Sequence, residues 1–399
     1  AYIARGCENG WCSLWLAVVA FGRRDGSEPV FSVTPYEVSG EVDYDRLIRQ
    51  FGLKTIDENL LNRLASLAGD LHPLLTRGVF FAHRDLDVLL DTVERGGEFY
   101  LYTGRGPSGH VHIGHMVPWV LTKWLQDRFK VRLYFQLTDD EKFLHRREMR
   151  LSEARSMAVE NALDIAALGF NPELTLIFRD TDLIRVLYPV ALKVAKRLTL
   201  STVKAAFGFS DETNVGLTFF TSIQAAPAFL ESELKGRPVP CLVPLAVDQD
   251  PHFRLARDVA PKLGYPKPSI LHSRILRGLR GEAKMSSSDP RSAVFTTDSP
   301  DEARRKIMAA FTGGRPTVRE QRELGGNPSN CAVFEYFRAL FEPSDRRLEE
   351  RRLACVSGNL ICGECKAELA ERVAKFLVEH QRKREAVRDM LDRFMDPAK

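Results

Sequence analysis

Long apolar runs are missing from this 399-residue chain: the stretch Trp11–Phe21 comes nearest and stops at Arg23 and Arg24, well short of the ~20 apolar residues that span a bilayer. A transmembrane helix is thereby excluded, and no membrane partner is expected. The basic pair follows the apolar stretch instead of preceding it, the reverse of a secretory signal. Residues 1–30 therefore read as a leader, disordered or non-native. An excess of one charge is missing as well: 57 Lys and Arg stand against 53 Asp and Glu, a net charge of +4. That excludes a polybasic tail that coats nucleic acid indiscriminately, yet leaves room for a local basic face. Cysteine is sparse, with 7 residues, an odd number, so no small secreted disulfide framework is indicated and a reducing, cytoplasmic setting is the simpler reading. Low-complexity tracts are also lacking, and a hydrophobic share of 44% beside 28% charged residues belongs to a folded globular protein.

What is present points to more than one folded unit, because 399 residues exceed the size at which a single core keeps growing. From 31 to 98 the apolar spacing of Tyr44-Leu47-Ile48-Phe51 and Leu60-Leu61-Leu64-Leu67 is helical, with turns at Gly69, Gly78 and Gly96-Gly97; this predicts a mostly helical extension. From 99 to 295 short apolar runs alternate with helical patterns, as in Phe99–Tyr102, Met116–Phe129, Val131–Leu137, Ser152–Leu168 and Leu174–Phe178. The pattern resumes at Val239–Val247, Asp250–Leu263 and Ser269–Ile275. That order predicts an α/β fold, a Rossmann-like parallel sheet with a helical insertion at about 180–235. Ser299-Pro300-Asp301-Glu302 reads as a helix N-cap, a Pro at the first helical position and a capping box. A C-terminal α-helical domain over 296–399 follows.

The first strand leads into Tyr102-Thr103-Gly104-Arg105-Gly106-Pro107-Ser108-Gly109-His110-Val111-His112-Ile113-Gly114-His115, with the helix expected just beyond. Gly104, Gly106 and Gly109 satisfy the G-x-G-x-x-G spacing of a dinucleotide site. However, the first acidic residues after the second strand, Asp139–Glu141, fall about 30 residues past the loop, where a ribose-binding carboxylate belongs ~20 residues on. The histidines offer a different chemistry. His112 and His115 at the mouth of a helix can donate to phosphates as a pentavalent phosphorus forms, and Gly114 lets a nucleotide approach the backbone closely. About 170 residues later, Lys284-Met285-Ser286-Ser287-Ser288 lies on a polar, Gly-rich stretch. A lysine there can close over the β- and γ-phosphates and stabilise the charge of departing pyrophosphate.

Together these segments resemble the HIGH and KMSKS motifs of class I aminoacyl-tRNA synthetases, with His112–His115 unbroken and Lys284–Ser288 differing at Ser287. That substitution removes one family phosphate contact and puts more weight on Lys284. Longer passages, Tyr102–Ser108, Thr122–Asp127, Thr138–Lys142, Ile223–Pro227, Asp248–Pro251 and Arg257–Pro261, look like the archaeal and eukaryotic tryptophanyl-tRNA synthetases, from about Phe31 to the carboxyl end. The resemblance implies a ligase that activates L-tryptophan with Mg2+-bound ATP to tryptophanyl-adenylate and pyrophosphate. It then transfers tryptophan to the 3′ end of tRNA(Trp). The implied catalytic residues are His112, His115, Lys284, Ser286 and Ser288. Thr103, Gly104, Arg105, Gly106, Gly114, Met285 and Ser287 join the two histidines, Lys284 and Ser286 around ATP. By the same resemblance Tyr102 and Gln136 meet the indole N–H, which donates and cannot accept, while Glu141, Gln224 and Gln249 surround the substrate ammonium. The helical C-terminal domain would bind the anticodon, and a homodimer is implied.

A tyrosyl enzyme of the same fold is the nearest rival; a small-molecule adenylyltransferase or a silent tRNA-binding protein comes from further away. Cys331, Cys355, Cys362 and Cys365 gather in one stretch. Their readings rank as small core residues, then a disulfide, then structural zinc.

Overall fold

The computed structural model describes residues 31–35, 38–40, 42–287 and 289–396; the 1–30 leader and Ser288 lie outside the described residues. The strands are β1 (Ser32–Val33), β2 (Val38–Ser39), β3 (Lys54–Thr55), β4 (Phe80–Arg84), β5 (Tyr100–Arg105), β6 (Leu133–Leu137), β7 (Thr175–Arg179), β8 (Cys241–Ala246) and β9 (Ser269–Ser273). β1 and β2 pair with each other. The rest form one seven-stranded sheet in the order β3-β4-β9-β8-β5-β6-β7. Five of its strands, β9 through β7, run parallel, as the alternation of apolar runs and helices predicts.

Alternation along each strand explains why both faces are covered. Leu101, Leu133, Phe135, Ile177, Leu242 and Leu271 enter one core, packed against Ile113, Val117, Leu121 and Leu125 of the helix Ile113–Phe129. Tyr102, Tyr134, Phe178, Val243 and Ile270 enter the other, with Leu183, Leu187 and Phe229 of the insertion. A strand buried on both sides reads as a continuous apolar run because every side chain leaves water. Between β7 and β8 the insertion supplies the helices Asp180–Ala195, Leu200–Phe207, Val215–Ala225 and Leu230–Lys235.

The segment 31–98 differs from the helical extension its spacing suggests. Helices are there, at Tyr44–Phe51, Glu58–Ala68 and Leu86–Glu94. Yet β4 pairs antiparallel with β9, and β3 with β4, so the segment extends the seven-stranded sheet past the expected boundary at 98. Phe80 enters the main core and Phe81 a smaller one with Leu47 and Val247, and the Phe80↔Ser273 register ties the strand to a partner about 190 residues away in sequence.

Past the sheet, Ser299 caps the helix Pro300–Met308 by accepting from the Glu302 amide at 3.1 Å. Glu302 pairs with Arg305 instead of turning back to complete a capping box. The long helix Cys362–Arg388 is tied to the helix Leu151–Ala166 that follows β6 by buried charge: Asp164 accepts from Arg384 at 2.5 Å and meets His380 at 2.9 Å. Cys331, Cys355, Cys362 and Cys365 are free thiols that line one small void together with Phe334, Arg351 and Leu360. No disulfide joins them, and among the described residues no group of three His, Cys, Asp or Glu is placed to hold a metal ion.

Candidate active site

Strand order reverses between β5 and β8, since the chain proceeds from β5 to β6 and β7 on one side and returns to β8 and β9 on the other. Ligands of open α/β sheets bind at such a switch, beyond the carboxyl ends of the strands. Here the β5–β6 ladder continues to Arg105↔Leu137, whereas the β5–β8 ladder pairs only Tyr100↔Cys241 and Leu101↔Leu242. The splayed strand ends open a cavity of about 510 Å³, inside the ~300–1,000 Å³ of small-molecule sites.

The histidine segment forms the helix start itself, earlier than the sequence suggests: His112 is the N-cap of Ile113–Phe129 and His115 its third residue. The two rings stack with centroids 3.4 Å apart. His115 Nδ1 accepts from the His112 backbone amide at 3.1 Å, and its Nε2 faces Arg105 Nη1 at 2.6 Å. A neutral imidazole carries only one in-plane lone pair, so these two donors compete for the ring. Burial first, and Arg105 second, hold both histidines well below the ordinary histidine range; near neutrality both are uncharged. Arg105 itself is nearly enclosed. Its guanidinium donates to Asn161 at 2.5 Å and to the carbonyls of Gly109 and His110 at 3.1 and 3.2 Å, and burial draws its pKa down to about 10. It is a fixed cation that shapes the loop from behind.

The lysine segment meets this helix start directly. Ile113 N donates to Val294 O at 3.1 Å, and Thr296 N donates to Val111 O at 2.9 Å. Met285 is buried, and its sulfur lies so close to Gly114 that an added Cβ would stand 2.8 Å away. Ser287 lies over Gly109 at ordinary contact distance, where an added Cβ would stand 3.6 Å away. Lys284 Nζ pairs with Asp248 at 2.5 Å across the cavity, and Asp248 Oδ1 is left without a partner. Ser286 is held by its backbone to Ser292 Oγ at 3.0 Å.

Of the residues named from sequence, Thr103, Gly104, Arg105, Gly106, His112, Gly114, His115, Glu141, Gln224, Gln249, Lys284, Met285, Ser286 and Ser287 line this one cavity. Tyr102 and Gln136 lie one layer deeper, each fully buried. Tyr102 donates to Gln136 Oε1 at 2.5 Å and lies 2.9 Å from Gln224 O, while Gln224 Nε2 donates back to its oxygen at 3.3 Å. Glu141 pairs with Lys142 at 2.7 Å and accepts from Thr138 Oγ1 at 3.1 Å. Lys142 crosses Gly106, where a Cβ would strike its chain at 2.0 Å. Sequence reasoning missed Lys142 and Asp248 as partners of the site, although both stand inside the quoted passages. It also missed the walls Phe220, His252 and Phe253, for which residue type alone gave no signal.

The comparisons agree with this geometry. The sequence profile of the class I tRNA synthetases (W and Y) matches residues 94–378, and the chain belongs to that family. A tryptophan–tRNA ligase of Pyrobaculum calidifontis is 55% identical over 91% of this chain and 97% of its own length. One of Pyrococcus furiosus is 48% identical over 92% and 94%. A solved tryptophanyl-tRNA synthetase of Encephalitozoon cuniculi, bound to tryptophan, superposes with a TM-score of 0.83 at 40% identity, covering 90% of this chain and 98% of that one. Within the family, this chain falls among the tryptophan–tRNA ligases.

Proposed function

We propose that the cavity binds ATP and L-tryptophan side by side and joins them, and that the product is then passed to tRNA(Trp). The observation that carries this reading is the contact of Gly114 with Met285, which brings two segments about 170 residues apart to the wall of one cavity. Phosphates lie at the start of the helix Ile113–Phe129, where free backbone amides and the helix dipole favour anions. Lys284 exchanges Asp248 for the β- and γ-phosphates of ATP, which arrives carrying its own Mg2+. Ser286 and Ser287 follow Lys284 onto the phosphates. Ser288 belongs with them by resemblance.

Tryptophan enters beneath Gln224. Its indole N–H takes the place of the Gln224 amide as the donor to the Tyr102 oxygen and also meets Gln136 Oε1, and its ring lies between Phe220 and Phe253. Glu141, Gln224 and Gln249 take the ammonium, with Glu141 sharing its charge between Lys142 and the substrate. The substrate carboxylate oxygen attacks the α-phosphorus; the new O–P bond forms as the bond to the β-phosphate oxygen breaks, and pyrophosphate leaves with that electron pair. Neutral His112 and His115 offer N–H donors to the developing charge, and Lys284 follows the departing pyrophosphate. No covalent enzyme intermediate is needed, because the rate comes from positioning and charge stabilisation. In the second step the terminal 2′-OH of tRNA attacks the adenylate carbonyl and expels AMP. The helical C-terminal part binds the anticodon, and the chain works as a homodimer in the cytoplasm.

ATP–pyrophosphate exchange measured with each of the twenty amino acids separately tests the assignment. Exchange with tryptophan alone is expected; exchange with tyrosine and none with tryptophan overturns it.

A further inference from the structure

The selectivity just described depends on which way round the Gln136 amide is held. Its two ends have nearly the same shape, but one accepts and the other donates. With the oxygen toward Tyr102 an indole N–H is received; turned over, Nε2 would confront it, donor against donor.

Gln136 Nε2 is occupied by Asp180 Oδ1 at 2.8 Å. Asp180 is fully buried and opens the helix Asp180–Ala195 directly after β7. β7 is paired with β6 in the register Gln136↔Phe178, so the ladder fixes the aspartate two residues beyond the partner of the glutamine. No cation accounts for its burial. Arg155 goes to Asp182 at 2.7 Å and to Asp139 at 3.7 Å, and burial together with the neighbouring Asp140 carboxyl holds Asp180 well above the ordinary carboxylate range. A buried carboxyl that is costly to hold makes one good bond, and it makes it to the indole-reading amide.

We infer that Asp180 is a positioning residue for tryptophan selectivity, holding Gln136 with its oxygen toward the substrate N–H. The inference rests on the assignment of Tyr102 and Gln136 to the indole. Oδ1 accepts from Nε2, while the proton that burial favours on this carboxyl is shared with Asp140 and not with the glutamine, so the side facing Gln136 distinguishes Nε2 from Oε1. An asparagine or serine in its place both donates and accepts and allows either orientation.

The test compares L-tryptophan with 3-benzothienyl-L-alanine, in which sulfur replaces the N–H at nearly constant shape, in ATP–pyrophosphate exchange by the full chain. For Asp180→Asn, kcat/KM for tryptophan should fall about tenfold, mainly through KM, while the value for the analogue moves by less than about threefold; the tryptophan preference shrinks accordingly. A preference equal to that of the unmodified protein, whether both substrates decline together or neither does, overturns the inference and leaves the pocket assignment standing. No preference in the unmodified protein removes the pocket assignment and this inference with it. Should Asp180→Asn fail to fold, the same ratio is read from Asp180→Ser, which leaves space for a water.

Discussion

Adding a single methyl group at Gly114 tests whether the two motifs work as one unit. The new Cβ of Gly114→Ala would lie 2.8 Å from the Met285 sulfur and 3.2 Å from the His112 ring. Ordinary contact lies near 3.5–4.0 Å, so one side must give way by about 1 Å. His112 is pinned by its stack on His115 and by the bridge to Phe295. Met285 is held by a buried pocket and by the Tyr336 hydroxyl, 3.7 Å from its sulfur. Whichever yields, one of the groups proposed to meet the phosphates moves relative to the other. A misplacement of about 1 Å costs on the order of 100-fold in rate where catalysis is positioning. Tryptophan-dependent exchange should therefore lose about 10- to 100-fold in kcat, while tryptophan binding, read by fluorescence or calorimetry, stays within about threefold. Unchanged kcat in the Gly114→Ala variant would show that the Met285–Gly114 contact does not set the geometry of the phosphates, and the mechanism drawn from it would fall.

Two further perturbations follow. Lys284→Ala should lower kcat for exchange by about 10²–10³, as loss of one preorganised charge contact does, with little change in tryptophan affinity; equal losses in both would deny that the lysine acts mainly in the transition state. Burial depresses the His252 pKa from 6.5 to about 4, so between those values the unfolded chain binds the proton and the folded one does not. Its contribution is complete above pH 6.5 and is lost as pH falls toward 4, by up to about 3 kcal/mol. Urea midpoints should fall between about pH 7 and pH 5, and His252→Asn should flatten part of that slope; an unaltered slope would place the acid sensitivity elsewhere.

Much of the site was legible because its chemistry is local. A strand running into a glycine-rich turn, two histidines at the start of a helix and a lysine ahead of serines are patterns of neighbouring residues, and His112 and Lys284, singled out from those, line the same cavity. The pairing of β4 with β9 was hidden, since Phe80–Arg84 has the length and composition of many apolar pieces and its partner lies in a distant segment. Lys142 and Asp248 were visible as residues but not as partners: a charged side chain in a motif does not announce which opposite charge it meets. Tyr102 and Gln136 were placed at the strand ends, yet their bond to each other and the closure of Gln224 above them emerge only when β5, β6 and the insertion pack together.

By itself, then, the amino-acid order determined the alternating apolar faces, the helix starts and the kinds of groups available to hold a triphosphate, because periodicity and capping act over a few residues. Tertiary structure decided which of those groups share a cavity, how deep each lies and which donor faces which acceptor. Such choices depend on contacts between segments far apart in the chain, where burial and loop closure, not local preference, set the geometry.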